Sequence, residues 1–346
     1  MMCLPYRPHP LMRSGHLQTL MVGLLTGERP EYSAKSFLVE LEDGETLVVH
    51  EECGSNLAAN APLVVLIHGL GGDHRSAYLE RLAPRIHASG FEVWRVDLRG
   101  CGAGAEHAWK PANAGRSNDL AQVLIKAESM YPGKPIHLVG FSLSGNIVLK
   151  LLGEAAAGES PLQLQQSGLA NAIAVAPPVK LQACADNMDR LSRRLYTKFY
   201  LKCLAEQVEA RARLWKQWRS IPAHPAVRTI QEFDARYTAP LSGYRSTEEY
   251  YRLASAQPWL EHIETPTEIV ADMHDPIVPF RTIVESGLSP STILTATRRG
   301  GHMGYFGLDE QGKLIRWLEH YVVDRLKAKA AASTGFHAHS VETSSA

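Results

Sequence analysis

The segment 135–153 constrains the fold of this chain more than any other. Residues 135–139 form a short apolar run rich in branched side chains, which is typical of a strand buried on both faces. Residues 147–152 have the pattern of a helix that ends at Gly153. The chain must therefore turn from strand to helix within the few residues 140–146. A buried strand followed by a tight turn and a helix is typical of α/β proteins.

This turn places Ser142 at its crest. A serine between small residues at a strand-to-helix turn is typical of a nucleophile, usually in the pattern G-x-S-x-G. Gly140 and Ser144 supply the small neighbours, although Ser144 stands where glycine is usual. If Ser144 were the nucleophile, the bulkier Asn146 would crowd the turn instead. We therefore predict that Ser142 is the nucleophile. The motif alone does not establish this, because it also occurs by chance in strand-to-helix loops.

Eight short runs of β-forming residues predict the strands of one sheet. They lie at residues 36–41, 46–51, 63–67, 91–96, 135–139, 171–175, 267–271 and 292–297. The first two flank an Asp-Gly turn and indicate an antiparallel hairpin. The others alternate with helical patterns at residues 76–88, 117–131 and 312–326, which predicts a mainly parallel sheet with helices on both faces. In such sheets the chemistry lies at the carboxyl ends of the strands.

The strand pattern is interrupted once, and this divides the chain. We predict an α/β core made of residues 1–177 and 265–326. Residues 178–264 are mostly helical in pattern and are predicted to form a lid above the carboxyl ends of the strands. The tail 327–346 consists mainly of alanine, lysine, serine and threonine and is predicted to be disordered.

Two patterns in the predicted lid concern its surface. Leu191, Leu195 and Phe199 recur every four residues, which indicates one apolar helix face. Trp215 and Trp218 alternate with basic residues. They either form an interfacial helix that contacts a membrane transiently or pack against the core.

The composition excludes some classes of partner and site. Lysine and arginine total 36, as do aspartate and glutamate, so no net charge attracts nucleic acid. The five cysteines are scattered without CxxC spacing, which favours free thiols in a reducing compartment and argues against a zinc site. The apolar run at residues 20–25 is too short for a signal-peptide core or a membrane span. We therefore expect a cytoplasmic protein.

Two loops offer partners for the serine. His302 lies in a glycine-flanked loop directly after the last strand, where its imidazole could serve as a base. Asp275 follows the preceding strand and could orient that imidazole, with Asp272 as the second choice. Either aspartate could instead merely cap a turn. The chain order Ser142, Asp275, His302 is the order found in α/β-hydrolases.

Acyl transfer also needs N–H donors for an oxyanion. We predict the backbone amide of Leu143, directly after the nucleophile, and that of Leu70 in the glycine-rich loop after the third strand. This loop lacks the Gly-Lys-Ser/Thr ending of a phosphate loop, and G-x-G-x-x-G spacing is absent, so we predict no cofactor. His68, Asp73 and His74 could be imagined as metal ligands. No further ligand set accompanies them, so we predict no metal and expect His68 to steady the loop.

Together these motifs resemble the α/β-hydrolase superfamily. Within it they are most similar to the group of YheT-like hydrolases, plant embryogenesis-associated hydrolases and animal abhydrolase-domain proteins one and three. The similarity covers nearly the whole chain before the tail and rests on segments 7–10, 15–19, 68–72, 97–102, 140–143, 233–234, 249–251, 275–276 and 300–304. It implies a Ser142-Asp275-His302 triad acting on short to medium acyl esters or lipid esters. Two residues depart from the family pattern: Ser144 replaces a glycine, and His274 replaces an acidic residue.

The sequence thus predicts a serine carboxylester hydrolase that works through an acyl-enzyme. Its substrate is predicted to be a small-molecule ester or a lipid ester. Two alternatives stay open. The acyl group could pass to an alcohol or thiol acceptor, or the chain could be a binding protein that keeps a hydrolase fold without turnover. The sequence does not determine an oligomeric state.

Overall fold

The strands of the protein form one large sheet and one small hairpin. The computed structural model describes residues 2–3, 6–25, 27, 30, 33–52, 57–221 and 227–340. The strands are β1 Met2–Cys3, β2 Ala34–Glu40, β3 Thr46–Glu52, β4 Leu63–Ile67, β5 Glu92–Asp97, β6 Ile136–Phe141, β7 Leu169–Val175, β8 Thr267–Asp272, β9 Thr292–Thr297, β10 Phe306–Leu308 and β11 Leu314–Arg316.

Helices fill the connections between the strands. They are α1 Gly15–Leu24, α2 Ala77–Ala88, α3 Ser117–Met130, α4 Leu143–Ala156, α5 Leu181–Met188, α6 Arg194–Leu214, α7 Lys216–Arg219, α8 Ile230–Phe233, α9 Ala239–Leu241, α10 Thr247–Ala254, α11 Arg281–Val284 and α12 Trp317–Ser340. A π-helical turn, Asp234–Thr238, joins α8 to α9. Within the described residues, no helix is both long and apolar enough to cross a membrane.

The main sheet has the strand order β1-β9-β8-β7-β6-β4-β5-β3-β2. Strands β4 to β9 run parallel, and the hairpin β2–β3 joins them antiparallel at one edge. All eight predicted strands are present, and the mainly parallel α/β-hydrolase sheet is confirmed. The two-residue strand β1 adds to the opposite edge by pairing with β9.

Helices cover both faces of this sheet, as predicted. Strand β4 is fully buried, and its side chains alternate between two apolar clusters. Val64 and Leu66 pack with α2 and α12, whereas Leu63, Val65 and Ile67 pack with α3 and α4. The chain leaves β4 for β5 on one side and returns to β6 on the other. Ligands of open α/β sheets bind at such a switch point, so the ends of β4 and β6 mark the place of the site.

The end of the chain differs from the prediction. Residues 314–316, expected to be helical, pair with β10 as strand β11, and the final helix starts at Trp317. This helix does not stop near Leu326 but continues to Ser340. Residues 341–346 lie outside the described part. Alanine and lysine favour helix, and Ala330 still packs against the apolar cluster under α12, which lets the helix continue.

Residues 178–264 are helical where they are described, from α5 to α10. The apolar face predicted there does not turn inward: Leu191, Leu195 and Phe199 are 85%, 70% and 57% exposed. The two tryptophans do turn inward, because the indole N–H groups of Trp215 and Trp218 donate to backbone carbonyls at 2.8 and 2.6 Å. Of the two open interpretations of these tryptophans, packing against the core is therefore the correct one.

Candidate active site

The turn between β6 and α4 is built around a strained serine. Ser142 has φ 50° and ψ −115°, a conformation that residues other than glycine rarely adopt. The neighbouring glycine makes the turn possible, because a Cβ at Gly140 would lie 2.4 Å from the carbonyl oxygen of Ser144. The side chain of Ser142 is thereby held at the carboxyl end of β6.

Ser144, the alternative nucleophile, is fully buried. Its hydroxyl donates a short hydrogen bond to the carbonyl oxygen of His68, the first residue after β4. The serine that departs from the usual glycine thus ties the turn at Ser142 to the loop that follows β4, and its oxygen is directed away from the cavities.

The structure brings the three predicted side chains into one hydrogen-bonded chain. Ser142 Oγ lies 2.9 Å from His302 Nε2, and His302 Nδ1 lies 2.8 Å from Asp275 Oδ2. The side chains of His302 and Asp275 are each 3% exposed. Because Nδ1–H donates to the carboxylate, Nε2 is left to accept the serine proton. This arrangement can activate a serine hydroxyl as a nucleophile.

The second-choice acid, Asp272, does not contact the histidine ring. Its carboxylate accepts hydrogen bonds from the amides of His274 and Gly300 at 2.9 and 2.6 Å and from the hydroxyl of Thr297 at 2.5 Å. Asp272 therefore holds the loops after β8 and β9 together, which leaves Asp275 to orient His302.

Helix α1 supports the histidine loop, a role that the sequence did not reveal. Thr19 Oγ1 accepts the backbone N–H of His302 at 2.8 Å. The contact is very close, since a Cβ at Gly301 would lie 2.2 Å from the carbonyl oxygen of Gly15. Gln18 also exchanges two hydrogen bonds with the backbone of Phe306. The sequence indicates segment 15–19 only through the family resemblance, because pairing over nearly 300 residues leaves no local signal.

Of the two residues predicted to donate to an oxyanion, Leu143 directly follows Ser142 and Leu70 lines the same cavities as Ser142. Leu143 is the first residue of α4, and N–H groups of a first helical turn have no acceptor within the helix. Leu70 lies in the loop after β4 and lines both cavities that reach Ser142. His68 steadies this loop as expected: its Nε2 accepts the N–H of Leu98 at 3.1 Å, and burial lowers the pKa of its imidazole.

Two cavities meet at Ser142. The first is largely apolar and lies under the helices of residues 178–264; its walls include Leu143, Leu181, Met188, Val208, Phe233 and Tyr250. The second lies between α1 and α6, and its walls include Thr19, Leu20, Leu195, Phe199, Tyr200 and His302. An ester bound with its carbonyl at Ser142 would have one side in each cavity.

Asp234, the first residue of the π-helical turn, contributes an acid to the wall of the first cavity. Burial raises the pKa of its carboxyl to about 6, even though Tyr251 donates a hydrogen bond to it at 2.7 Å. The sequence motif around Asp234 gave no indication of this acid inside an apolar cavity.

A cluster elsewhere resembles a metal site in composition. Among the described residues, His50, His74 and Asp97 bring three possible ligand atoms within 4.8 Å of one another. The two imidazole rings stack with centroids 3.6 Å apart and planes 18° from parallel. Lone pairs in two stacked planes cannot both point at one ion. Each ring lies instead at hydrogen-bond distance from Asp97, at 3.0 and 2.8 Å. Of the possible ligands in the loop after β4, His74 belongs to this cluster, whereas His68 and Asp73 do not.

Comparison with known proteins identifies the family of this chain. Residues 64–315 match the model of a family described as the alpha/beta hydrolase family. The chain is 28% identical over 319 residues to the Escherichia coli protein YheT, named as an esterase, covering 90% of this chain and 89% of that protein. It is 28% identical over 268 residues to a monoacylglycerol lipase of Saccharomyces cerevisiae, covering 74% of this chain and 57% of the relative.

Solved structures share the fold at low sequence identity. The Pyrococcus furiosus esterase PF2001 superimposes with a TM-score of 0.56 at 15% identity, covering 87% of this chain and 91% of that one. The family match spans more than two thirds of the chain and includes Ser142, Asp275 and His302. The chain therefore belongs to the alpha/beta hydrolase family.

Proposed function

We propose that this protein is a serine carboxylic ester hydrolase that works through an acyl-enzyme. The observation that carries the proposal is the hydrogen-bonded chain Ser142–His302–Asp275 at the junction of two cavities. His302 Nε2 takes the proton from Ser142 as Oγ attacks the ester carbonyl. His302 then gives this proton to the departing alcohol, and a water activated by the same nitrogen releases the acid.

The developing oxyanion would be held by backbone N–H groups. The amide of Leu143 and the amide of Leu70 are the donors that we assign, since both residues line the first cavity together with Ser142. Donors fixed in place before the reaction stabilise the charge without reorganisation. Asp275 keeps the imidazole in the required tautomer and stabilises its protonated form.

The substrates that we propose are short to medium acyl esters or lipid esters. The first cavity offers an apolar site for an acyl chain, and relatives are named as an esterase and as a monoacylglycerol lipase. We also propose that residues 178–264 act as a lid, since they supply walls to both cavities, among them Phe233 and Tyr200.

A fluorophosphonate probe and an ester series test this proposal together. We expect covalent labelling at Ser142, lost in Ser142→Ala, and a fall in the hydrolysis rate of about 10⁴-fold or more in that variant. Ser144→Ala is the matched control, which should keep the label. Labelling elsewhere, or unchanged ester hydrolysis in Ser142→Ala, would contradict the assignment.

Acyl transfer to an alcohol is a second candidate, favoured by the apolar lining of the second cavity, where an alcohol could compete with water. Product analysis in the presence of a medium-chain alcohol separates the two outcomes. Ester formation at low alcohol concentration supports transfer, whereas free acid as the sole product supports hydrolysis.

A further inference from the structure

We propose that an apolar rim around the second cavity docks on an anionic lipid surface. The rim consists of Leu17, Leu20 and Leu24 on α1 together with Leu191, in the 3₁₀ turn just before α6, and Leu195 and Phe199 on α6. The docking itself needs no catalysis. The role that we assign to the docking, which is to admit lipid esters directly to the cavity, rests on the proposed function.

The rim is an exposed apolar surface. Leu20 and Leu24 are 42% and 75% exposed, and the three residues of the α6 side are between 57% and 85% exposed. The two sides adjoin, because the hydroxyl of Tyr196 lies 2.9 Å from His16 Nδ1 and the two rings stack. Contiguous exposed apolar surface on a folded protein marks a contact with another molecule or with lipid.

The rim surrounds the second cavity, so a lipid surface that contacts the rim could supply substrate to that cavity. Leu20, Leu195 and Phe199 belong both to the rim and to the wall of the second cavity. The same cavity wall contains Ser142 and His302. A molecule leaving a lipid surface in contact with the rim would thus enter the cavity without crossing water.

The charge around the rim favours an anionic surface. Residues 190–202 contain five basic residues and no acidic one: Arg190, Arg193, Arg194, Lys198 and Lys202. Helix α1 contains no charged residue, and the exposed Arg13 lies just before it. Since the whole chain has no net charge, this concentration of cations is local. Basic side chains next to apolar ones are the combination by which amphipathic helices bind anionic lipid interfaces.

Vesicle sedimentation tests the docking independently of catalysis. Full-length Ser142→Ala protein is mixed with vesicles of phosphatidylcholine alone or of phosphatidylcholine and phosphatidylglycerol in equal amounts. We expect clear binding to the mixed vesicles, weaker binding to the neutral ones, and less binding as salt is raised. Adding Leu195→Ser and Phe199→Ser should lower binding to the mixed vesicles by about tenfold or more, since both side chains would insert.

Two further variants serve as controls. Ile125→Ser with Met130→Ser removes two apolar side chains of α3, each 38% exposed and lining neither cavity, and should leave vesicle binding unchanged. Lys198→Glu with Lys202→Glu keeps the apolar residues and should abolish the preference for the anionic vesicles. Circular dichroism on every variant verifies the fold. Hydrolysis of a water-soluble short ester verifies the site in the Ile125→Ser/Met130→Ser and Lys198→Glu/Lys202→Glu proteins with Ser142 intact, since none of these four residues lines either cavity.

The possible outcomes separate the two proposals. Vesicle binding that is absent, or that survives Leu195→Ser with Phe199→Ser, overturns the docking even if soluble esters are hydrolysed. A dimer in sedimentation velocity that these two substitutions dissociate also overturns it, because a second copy then covers the rim. Vesicle binding without ester hydrolysis by the unsubstituted protein leaves the docking intact and overturns the proposed function.

Discussion

Two buried carboxylates at the carboxyl ends of the strands each hold an imidazole that also lies beside a serine, but only Ser142 lies where the two cavities meet. Asp275 holds His302, whose second nitrogen lies 2.9 Å from the oxygen of Ser142 at a cavity. Asp97, the last residue of β5, holds both His50 and His74. The second nitrogen of His50 is bonded to Ser36 at 2.9 Å. An imidazole–carboxylate pair is therefore not by itself a sign of catalysis; its free nitrogen must meet a nucleophile at a cavity.

The site around Asp97 instead stabilises the fold. Burial alone would raise the pKa of this carboxyl, but hydrogen bonds from His50 and His74 outweigh burial and hold the pKa well below its usual range. The backbone amides of His74 and Ala103 also donate to it, at 2.7 and 2.9 Å. Asp97 thus joins the loop after β4 to the turn after β5.

Replacing one histidine in each site should give the largest difference between a loss of activity and a loss of stability. His302→Gln should lower kcat/KM for a soluble ester by about 10⁴-fold, because the serine loses its base. His74→Gln should lower the free energy of unfolding by about 1–3 kcal/mol while kcat/KM changes by less than about tenfold. Initial rates and urea unfolding measure both. Parallel losses of activity in the two variants would contradict the division of roles.

Replacing the carboxylates sharpens the same contrast. Asp275→Asn should keep the packing but disturb the tautomer of His302, with a loss in kcat of about 10²–10⁴-fold. Asp97→Asn should have its main effect on unfolding, lowering its free energy by about 3 kcal/mol because a buried acceptor of four donors is changed. The urea midpoint of Asp275→Asn should stay close to that of the parent. A stable but inactive Asp97→Asn protein would argue for a catalytic role of Asp97.

A third kind of buried histidine has no carboxylate partner. His137 is fully buried with the amide of Asn171 at 2.6 Å, and burial lowers its pKa to about 4. The unfolded chain, with a usual histidine pKa near 6.5, binds the proton more readily between these two values. Stability should therefore fall by about 3 kcal/mol as the pH drops from about 6.5 to 4, and no such loss should occur above this window.

Urea unfolding across that pH range measures the effect of His137. His137→Gln, which cannot titrate and keeps a polar group for Asn171, should show a flatter dependence of stability on pH than the parent. His320→Gln, a change on the exposed side of α12, is the control and should leave the slope unaltered. An identical slope in the parent and His137→Gln would assign the pH dependence to other groups.

The smallest effect is expected at the residue that departs from the family pattern. Ser144→Gly restores the usual glycine but removes the hydrogen bond to the carbonyl of His68. We expect a change in unfolding free energy within about 1 kcal/mol and in kcat/KM within a few-fold. Thermal unfolding and initial rates suffice to measure both. A large loss of activity would indicate that this hydrogen bond sets the position of Leu70.

The sequence predicted most of the sheet and its general arrangement for local reasons. Apolar runs and turn residues identified all eight long strands, and the loops that follow them contain Ser142, Asp275 and His302. The supporting contacts were not predictable in this way. Thr19 meets His302 across 283 residues, and Asp97 meets His50 across 47. Periodicity also identified the apolar helix face that contains Leu195 and Phe199. It did not show that this face is exposed in the folded protein.

The anchoring of His302 by α1 has a consequence for how the molecule folds. The backbone of this loop reaches its final position through Thr19 and through the close contact between Gly301 and Gly15. Contacts so distant in sequence carry a high cost in chain entropy and form slowly. We therefore expect the sheet to form before His302 reaches its final position beside Ser142. A refolding experiment should show recovery of ester hydrolysis lagging behind recovery of secondary structure.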